Sequence, residues 1–168
     1  FACHVPIPCT PTIHDERGER LVEHYRAYPD VEFVAISRRQ ADLHPELRFA
    51  AVIHHGVDTS LFPYGGGNGG YVAFLGRFCA AKGNHVAMDV AGSVGLPMEL
   101  GGAAHAIDDA QSYFARELEP RFAKMGSQAR WRGELGHGPK VELLTHARAM
   151  LFPIDWVVTF GLVMIELL

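Results

Sequence analysis

YVAFLGRFCAAKGNHVAMDVAGSVGLPMELGG, residues 71–102, holds two strand-like runs with a helical stretch between them. YVAFLG (71–76) is rich in β-branched and aromatic residues and predicts a strand. Residues 82–94 carry apolar side chains at helical spacing, and PMELGG (97–102) predicts a second strand. Strand, helix and strand in that order form a βαβ unit, whose two strands lie parallel.

The same alternation runs outward in both directions. Downstream come a helix over about 109–124, with Tyr113, Phe114, Leu118 and Phe122 on one face, and a strand at ARWRG (129–133). A helix at KVELLTHARA (140–149) and a strand at MLFPI (150–154) follow. Upstream, VPIPCTPTI (5–13) is extended, and VEFVAIS (31–37) and FAAVIHH (49–55) predict strands. ERLVEHYRAY places Leu21, Val22, Tyr25 and Tyr28 on one helical face. Ser37-Arg38-Arg39-Gln40 fits a capping box, so a short helix opens immediately after strand 31–37. The fold class is therefore α/β with parallel, Rossmann-like sheets.

Between the halves, DTSLFPYGGGNGG (58–70) is glycine-rich, contains a proline, shows no periodicity and reads as a linker. Its letters from Gly65 to Gly70 match the G-x-G-x-x-G dinucleotide fingerprint. That fingerprint must follow a strand and open a helix, whereas this string precedes a strand, so a nicotinamide cofactor is not expected.

Bulk properties bound the function. The 168 residues are 48% apolar and 20% charged, ordinary values for a globular chain. A net charge of −4 gives no electrostatic reason to expect a nucleic-acid partner. The 13 residues from Trp156 to Leu168 fall short of the roughly 20 needed to cross a bilayer, so no transmembrane segment is expected. The run reads instead as a loop and the start of a helix, punctuated by Pro153, Asp155 and Gly161. Three cysteines are too few for a disulfide framework, and a reducing, cytoplasmic setting is expected. Cys3, His4, Cys9 and His14 match no common structural zinc spacing, so no metal is expected.

In parallel sheets ligands sit beyond the carboxyl ends of the strands. Strand 71–76 ends in Gly76-Arg77, with Lys82-Gly83 close behind. Glycine lets a ligand approach the backbone, and two cations near a helix start suit a phosphate; they also suit a solvated surface. Phe160-Gly161-Leu162 opens the last helix, where free amides attract an anion. Glu166 is either a carboxylate that can hold a vicinal diol or an exposed helix glutamate. His14-Asp15 reads equally as a base with its neighbour or as a helix cap.

FVAISRRQAD, VIHHGVD, YVAFLGRFCAAKGNH, ARWRGELGHGPKVELLTHARAMLFPIDW and FGLVMIE, in this order and spacing, resemble the retaining glycosyltransferases of family four, the large group 1 class. The resemblance covers nearly the whole chain. It implies the GT-B architecture of two Rossmann-like domains with a cleft between them. Residues 1–57 would be the end of the acceptor-side domain, 58–70 the linker, and 71–168 the nucleotide-sugar domain. It implies a nucleoside diphosphate sugar as co-substrate, an acceptor the motifs do not specify, and no metal or other cofactor.

Residue by residue, Arg77 and Lys82 match the pair that grips the donor diphosphate, with Gly76 at the turn. Phe160, Gly161 and Leu162 match the turn whose amides face the donor. Glu166 matches the second glutamate of an E-x7-E motif, which holds the ribose. Gly133, Glu134 and Leu135 resemble the stretch whose backbone meets the nucleobase, and His14 resembles the active-site histidine.

Three positions depart from the pattern. Val158 stands where the motif has its first glutamate, Thr159 where proline is usual, and Ala81 where a glutamate is common. Chains of that family are also much longer, which leads to the expectation of a truncated chain, inactive by itself, whose apolar end favours self-association. Two alternatives stand beside it: a non-catalytic nucleotide-sugar-binding fragment, and an interaction fragment with no ligand.

Overall fold

The computed structural model describes residues 7–15, 17–103 and 110–167. The chain divides into two compact units, one of Phe1–Val57 with Val157–Leu162, the other of Asp58–Trp156 with Val163–Leu168.

The first unit is a three-stranded parallel sheet in the order β1 (Thr12–Ile13), β2 (Glu32–Ala35), β3 (Arg48–Val52). α1 (Glu19–Arg26) and α2 (Arg38–Leu43) make the crossovers. Ile13, Phe33, Ala35 and Val22 are buried, and Tyr25 meets Phe33 edge-on with ring centroids 5.3 Å apart. The predicted cap is present with a variation. Ser37 Oγ accepts from the Gln40 amide at 3.0 Å, while Gln40 Oε1 accepts from Ile36 N–H at 2.9 Å, one residue earlier than the usual box. Gln40 Nε2 also donates to the Asp15 carbonyl at 3.1 Å, so a fully buried amide ties the end of β1 to α2. The capping reading of Asp15 does not hold, because α1 is capped by Gly18 with no side-chain bond.

The second unit is a four-stranded parallel sheet in the order β6 (Ala129–Trp131), β5 (Met98–Gly101), β4 (Val72–Leu75), β7 (Ala149–Met150). Alternate residues of β4 serve opposite layers, as a two-residue strand period requires. Val72 and Phe74 join Ala87, Met88 and Ala91 of α3 (Asn84–Ser93) and Leu118 in one core cluster. Tyr71 and Ala73 join Leu143 and Ala147, at and just beyond the end of α6 (His137–His146), in the other. Helices on both faces of a parallel sheet make this unit doubly wound.

Several boundaries move for physical reasons. The helix expected over 109–124 is described from α4 (Ala110–Tyr113) through a π turn (Phe114–Leu118) to α5 (Glu119–Met125). Pro120 has no amide to donate, and its ring would crowd the carbonyl of residue 116 in a regular α-helix; the π turn just before it relieves both. α6 starts three residues before the predicted 140, and β7 is two residues rather than the run 150–154, because Pro153 cannot extend the ladder. Thr59–Leu61 forms a 3-10 turn within the expected linker, and Gly69 N–H donates to the His146 carbonyl at 2.8 Å. Residues 58–70 therefore pack on the second unit. Cys3 and His4 lie outside the described residues.

Candidate functional site

The strand order places β4 between β5, its next neighbour in sequence, and β7. The winding direction reverses between β4 and β7, and such a switch point opens a crevice at the carboxyl ends of those two strands. Gly76, Arg77 and Lys82 follow β4, and Pro153 to Trp156 follow β7.

The floor of this end is backbone. Gly76 N–H donates to the Gly101 carbonyl at 3.0 Å, and Gly102 N–H donates to that of Gly133 at 2.8 Å. Gly102 has φ +146°, and a Cβ there would run into the Gly76 carbonyl, so the ends of β4 and β5 come together only through glycine. Gly83 is equally constrained, with φ +73° and its Cα face against the Pro153 carbonyl. Asp155 N–H donates to the Ala81 carbonyl at 3.0 Å, locking the loop after β7 to the turn Ala80–Lys82. Buried Asn84 completes the turn, its Oδ1 accepting from Cys79 N–H at 3.2 Å.

Lys82 is half-buried, and its Nζ lies 4.1 Å from the centroid of the Trp156 ring. Burial, then the neighbouring Arg77 charge, holds its pKa below the ordinary lysine value. Neither Arg77 nor Lys82 makes an ion pair among the described residues. The region thus offers a half-desolvated ammonium beside a second cation.

Glu166 lies in α7 (Leu162–Leu167), and Lys140 Nζ donates to its Oε1 at 2.7 Å, both side chains being largely buried. Lys140 also sits 4.9 Å from the Phe62 ring centroid. A cavity of about 250 Å³ opens beside this pair, lined by Gly65, Val141, Leu144, Arg148 and Glu166 among others. Glu166 is therefore neither free nor an exposed helix glutamate. Leu135 packs into the α6-side core and Glu134 is exposed, so the stretch Gly133–Leu135 presents its backbone and one outward carboxylate.

In the first unit, His14 leaves β1 exposed, with its ring stacked on His55 at 5.1 Å and 17° between planes. His55 meets Phe160 edge-on at 5.1 Å, and Thr159 Oγ1 lies 3.4 Å from the His14 carbonyl. The structure thus gathers His14, Phe160 and the Val158-bearing segment in this unit, and Gly76, Arg77, Lys82 and Glu166 in the other. Two residues with striking partners carried no role in the sequence reading, Trp156 and Lys140. Trp156 had one available signal, its place in the loop that follows β7, the strand paired with the one that Arg77 follows.

Among the described residues no three His, Cys, Asp or Glu side chains gather to hold a metal, and no helix is long and apolar enough to cross a membrane.

No family model matches this chain, and no curated protein matches it. Solved structures do. HepE of Anabaena, in complex with UDP and glucose, superposes with a TM-score of 0.75 at 18% identity, over 95% of this chain and 50% of that one. Sucrose-phosphate synthase from Thermosynechococcus elongatus gives 0.76 at 16% identity, over 98% and 49%. AviGT4, a glycosyltransferase involved in avilamycin A biosynthesis, gives 0.61 at 22% identity, over 80% and 41%. The chain spans about half the length of the first two. Likeness at these identities is likeness of fold, and the fold is the parallel α/β architecture of the GT-B glycosyltransferases.

Proposed function

We propose that this chain is part of a glycosyltransferase that moves a sugar from a nucleoside diphosphate donor, with retention at the anomeric carbon, and that its second unit holds the donor. The observation that carries this reading is the half-buried Lys82 ammonium beside Arg77 at the β4–β7 switch point, without a carboxylate partner among the described residues. A partly desolvated ammonium beside an exposed guanidinium is relieved by an anion, and a diphosphate supplies one. As the bond between the anomeric carbon and the phosphate oxygen breaks, negative charge grows on the leaving diphosphate. Arg77 and Lys82 stabilise it there.

The other roles come from the motifs. Gly76 lets the donor approach the backbone, Phe160, Gly161 and Leu162 turn toward it, and Glu166 accepts from the ribose hydroxyls. Gly133, Glu134 and Leu135 meet the base through backbone groups, and His14 serves the reacting sugar. HepE is also solved with UDP-glucose bound, which supports a nucleotide sugar as the ligand class. Residues 1–57 belong in this reading to the acceptor-side domain and 71–168 to the donor domain. The free thiols of Cys9 and Cys79 go with a reducing, cytoplasmic setting.

A second reading, donor binding without transfer, is favoured by Val158, whose side chain cannot accept a hydrogen bond where the motif has a carboxylate.

A thermal-shift titration with UDP, GDP, ADP and TDP tests both. A nucleotide at about 100 times its Kd stabilises the fold by roughly 2.7 kcal/mol. A response to one of the four is expected and abolished in Arg77→Ala/Lys82→Ala; silence from all four, in a protein that melts cooperatively, overturns the donor-site assignment. Val158→Glu then separates the readings, since transfer rises only if the catalytic site is otherwise intact.

A further inference from the structure

The tryptophan after β7 has no role in the reading above, yet it is the described partner that holds the Lys82 ammonium. Nζ stands 4.1 Å from the Trp156 ring centroid, inside the distance at which a cation is drawn to the negative face of an indole. Lysine is otherwise a poor choice for a preformed phosphate site, because its charge rides on four rotatable bonds and swings freely in water.

The backbone around the pair is fixed on both sides. Asp155 N–H is bonded to the Ala81 carbonyl, and Gly83 fits against the Pro153 carbonyl because it lacks a Cβ. Gly83 N–H donates to Ala80 at 2.9 Å and Lys82 N–H to Cys79 at 3.1 Å, which closes the turn that carries the ammonium. The indole and the lysine stem are therefore presented to each other by two loops that cannot slide. No carboxylate competes for Nζ among the described residues, and Ala81 stands next to it. A π face suits this place better than a carboxylate would. It attracts the cation without neutralising it, and leaves the charge available to an incoming anion.

We infer that Trp156 is the positioning residue for Lys82, and that it sets the preference of this site for a nucleoside diphosphate over the corresponding monophosphate. The inference rests on the donor-site reading. Without the indole, the ammonium is no longer held at the switch point, and the second phosphate loses its share of the binding while the base and ribose contacts keep theirs.

The test uses the full chain and the nucleoside diphosphate that binds tightest among UDP, GDP, ADP and TDP, compared with its own monophosphate by calorimetric titration. Wild type, Trp156→Leu, Trp156→Phe, Lys82→Ala and Trp156→Leu/Lys82→Ala are measured side by side. The ratio of monophosphate to diphosphate Kd is expected to fall about fivefold to tenfold in Trp156→Leu and to be largely restored in Trp156→Phe. The double variant should lose no more of that ratio than Lys82→Ala alone, because the indole acts through the lysine. Equal weakening of both nucleotides in Trp156→Leu, with the ratio unchanged, overturns the inference and leaves the donor site standing. If Trp156→Leu melts too early to titrate, Trp156→Met takes its place: a ratio reduced as in Lys82→Ala supports the inference, and a wild-type ratio overturns it. Failure of all four diphosphates to bind wild type overturns the donor-site reading and this inference with it.

Discussion

A lysine that folding drives half out of water, beside an arginine, costs stability unless an anion joins it. Its pKa in the folded chain lies below its unfolded value, through burial first and Arg77 second. Between those two values the unfolded chain binds more protons, so stability rises with pH through that alkaline window. Below it, Lys82 is protonated in both states and the full cost is present. Lys82→Met should therefore melt above wild type at neutral pH, with the gap closing as pH climbs toward the ordinary lysine range. The same variant should bind a nucleoside diphosphate about tenfold or more weakly, each charged hydrogen bond being worth roughly 1.5–3 kcal/mol. A variant that binds normally would remove Lys82 from the site. Glu166 makes the converse case, its carboxylate already engaged by Lys140 at 2.7 Å. One oxygen is taken by the ammonium and the other remains to accept from a diol. Glu166→Gln keeps an oxygen that can accept from Lys140 but leaves that largely buried ammonium without its countercharge, so it should cost the fold about 1–3 kcal/mol. It should weaken a ribonucleotide clearly more than its 2′-deoxy counterpart, as calorimetry on the two ligands would register.

At the scale of elements, the candidate site depends on strand ends that meet through glycine. Gly102 admits the Gly76 carbonyl where any side chain would collide, and its φ of +146° disfavours other residues independently. Gly102→Ala should lower stability by about 1–3 kcal/mol, visible as a shift in the urea midpoint. Diphosphate affinity should fall with it, because the turn bearing Arg77 starts at Gly76. Most elements were legible beforehand from alternating strand chemistry and 3.6-residue periodicity. The misjudged boundaries share a cause. Pro120 reshaped a helix interior and Pro153 shortened a strand, and in both cases the sequence showed the proline but not which carbonyl or ladder position it would face. The packing within residues 58–70 was not legible, because glycine signals freedom when it stands alone and close packing when a helix lies against it. Gly65 and Gly69 meet the carbonyls of Thr145 and His146.

For the whole molecule, the order β6-β5-β4-β7 decides where a ligand can sit, since it sets the switch point between two strands nearly eighty residues apart in sequence. The exposed apolar side chains bear on association instead. α7 leaves Leu162 and Met164 about 40% exposed. Such surface favours contact between copies, so the sedimentation coefficient should rise with concentration, and Met164→Lys should suppress that rise. A coefficient independent of concentration in wild type would rule out this surface as a self-association site.

By itself the sequence determined the parallel α/β class and the candidates at the strand ends, because strand and helix periodicities are local and ligands of such sheets gather at one end. It also placed Gly76, Arg77 and Lys82 in one turn, since they are close along the chain. Only the tertiary structure decided their surroundings. Trp156 reaches Lys82, and Lys140 reaches Glu166, across stretches of chain that no local pattern connects. Periodicity says which face of an element is apolar, whereas the burial of a charge and the group beside it depend on which elements become neighbours.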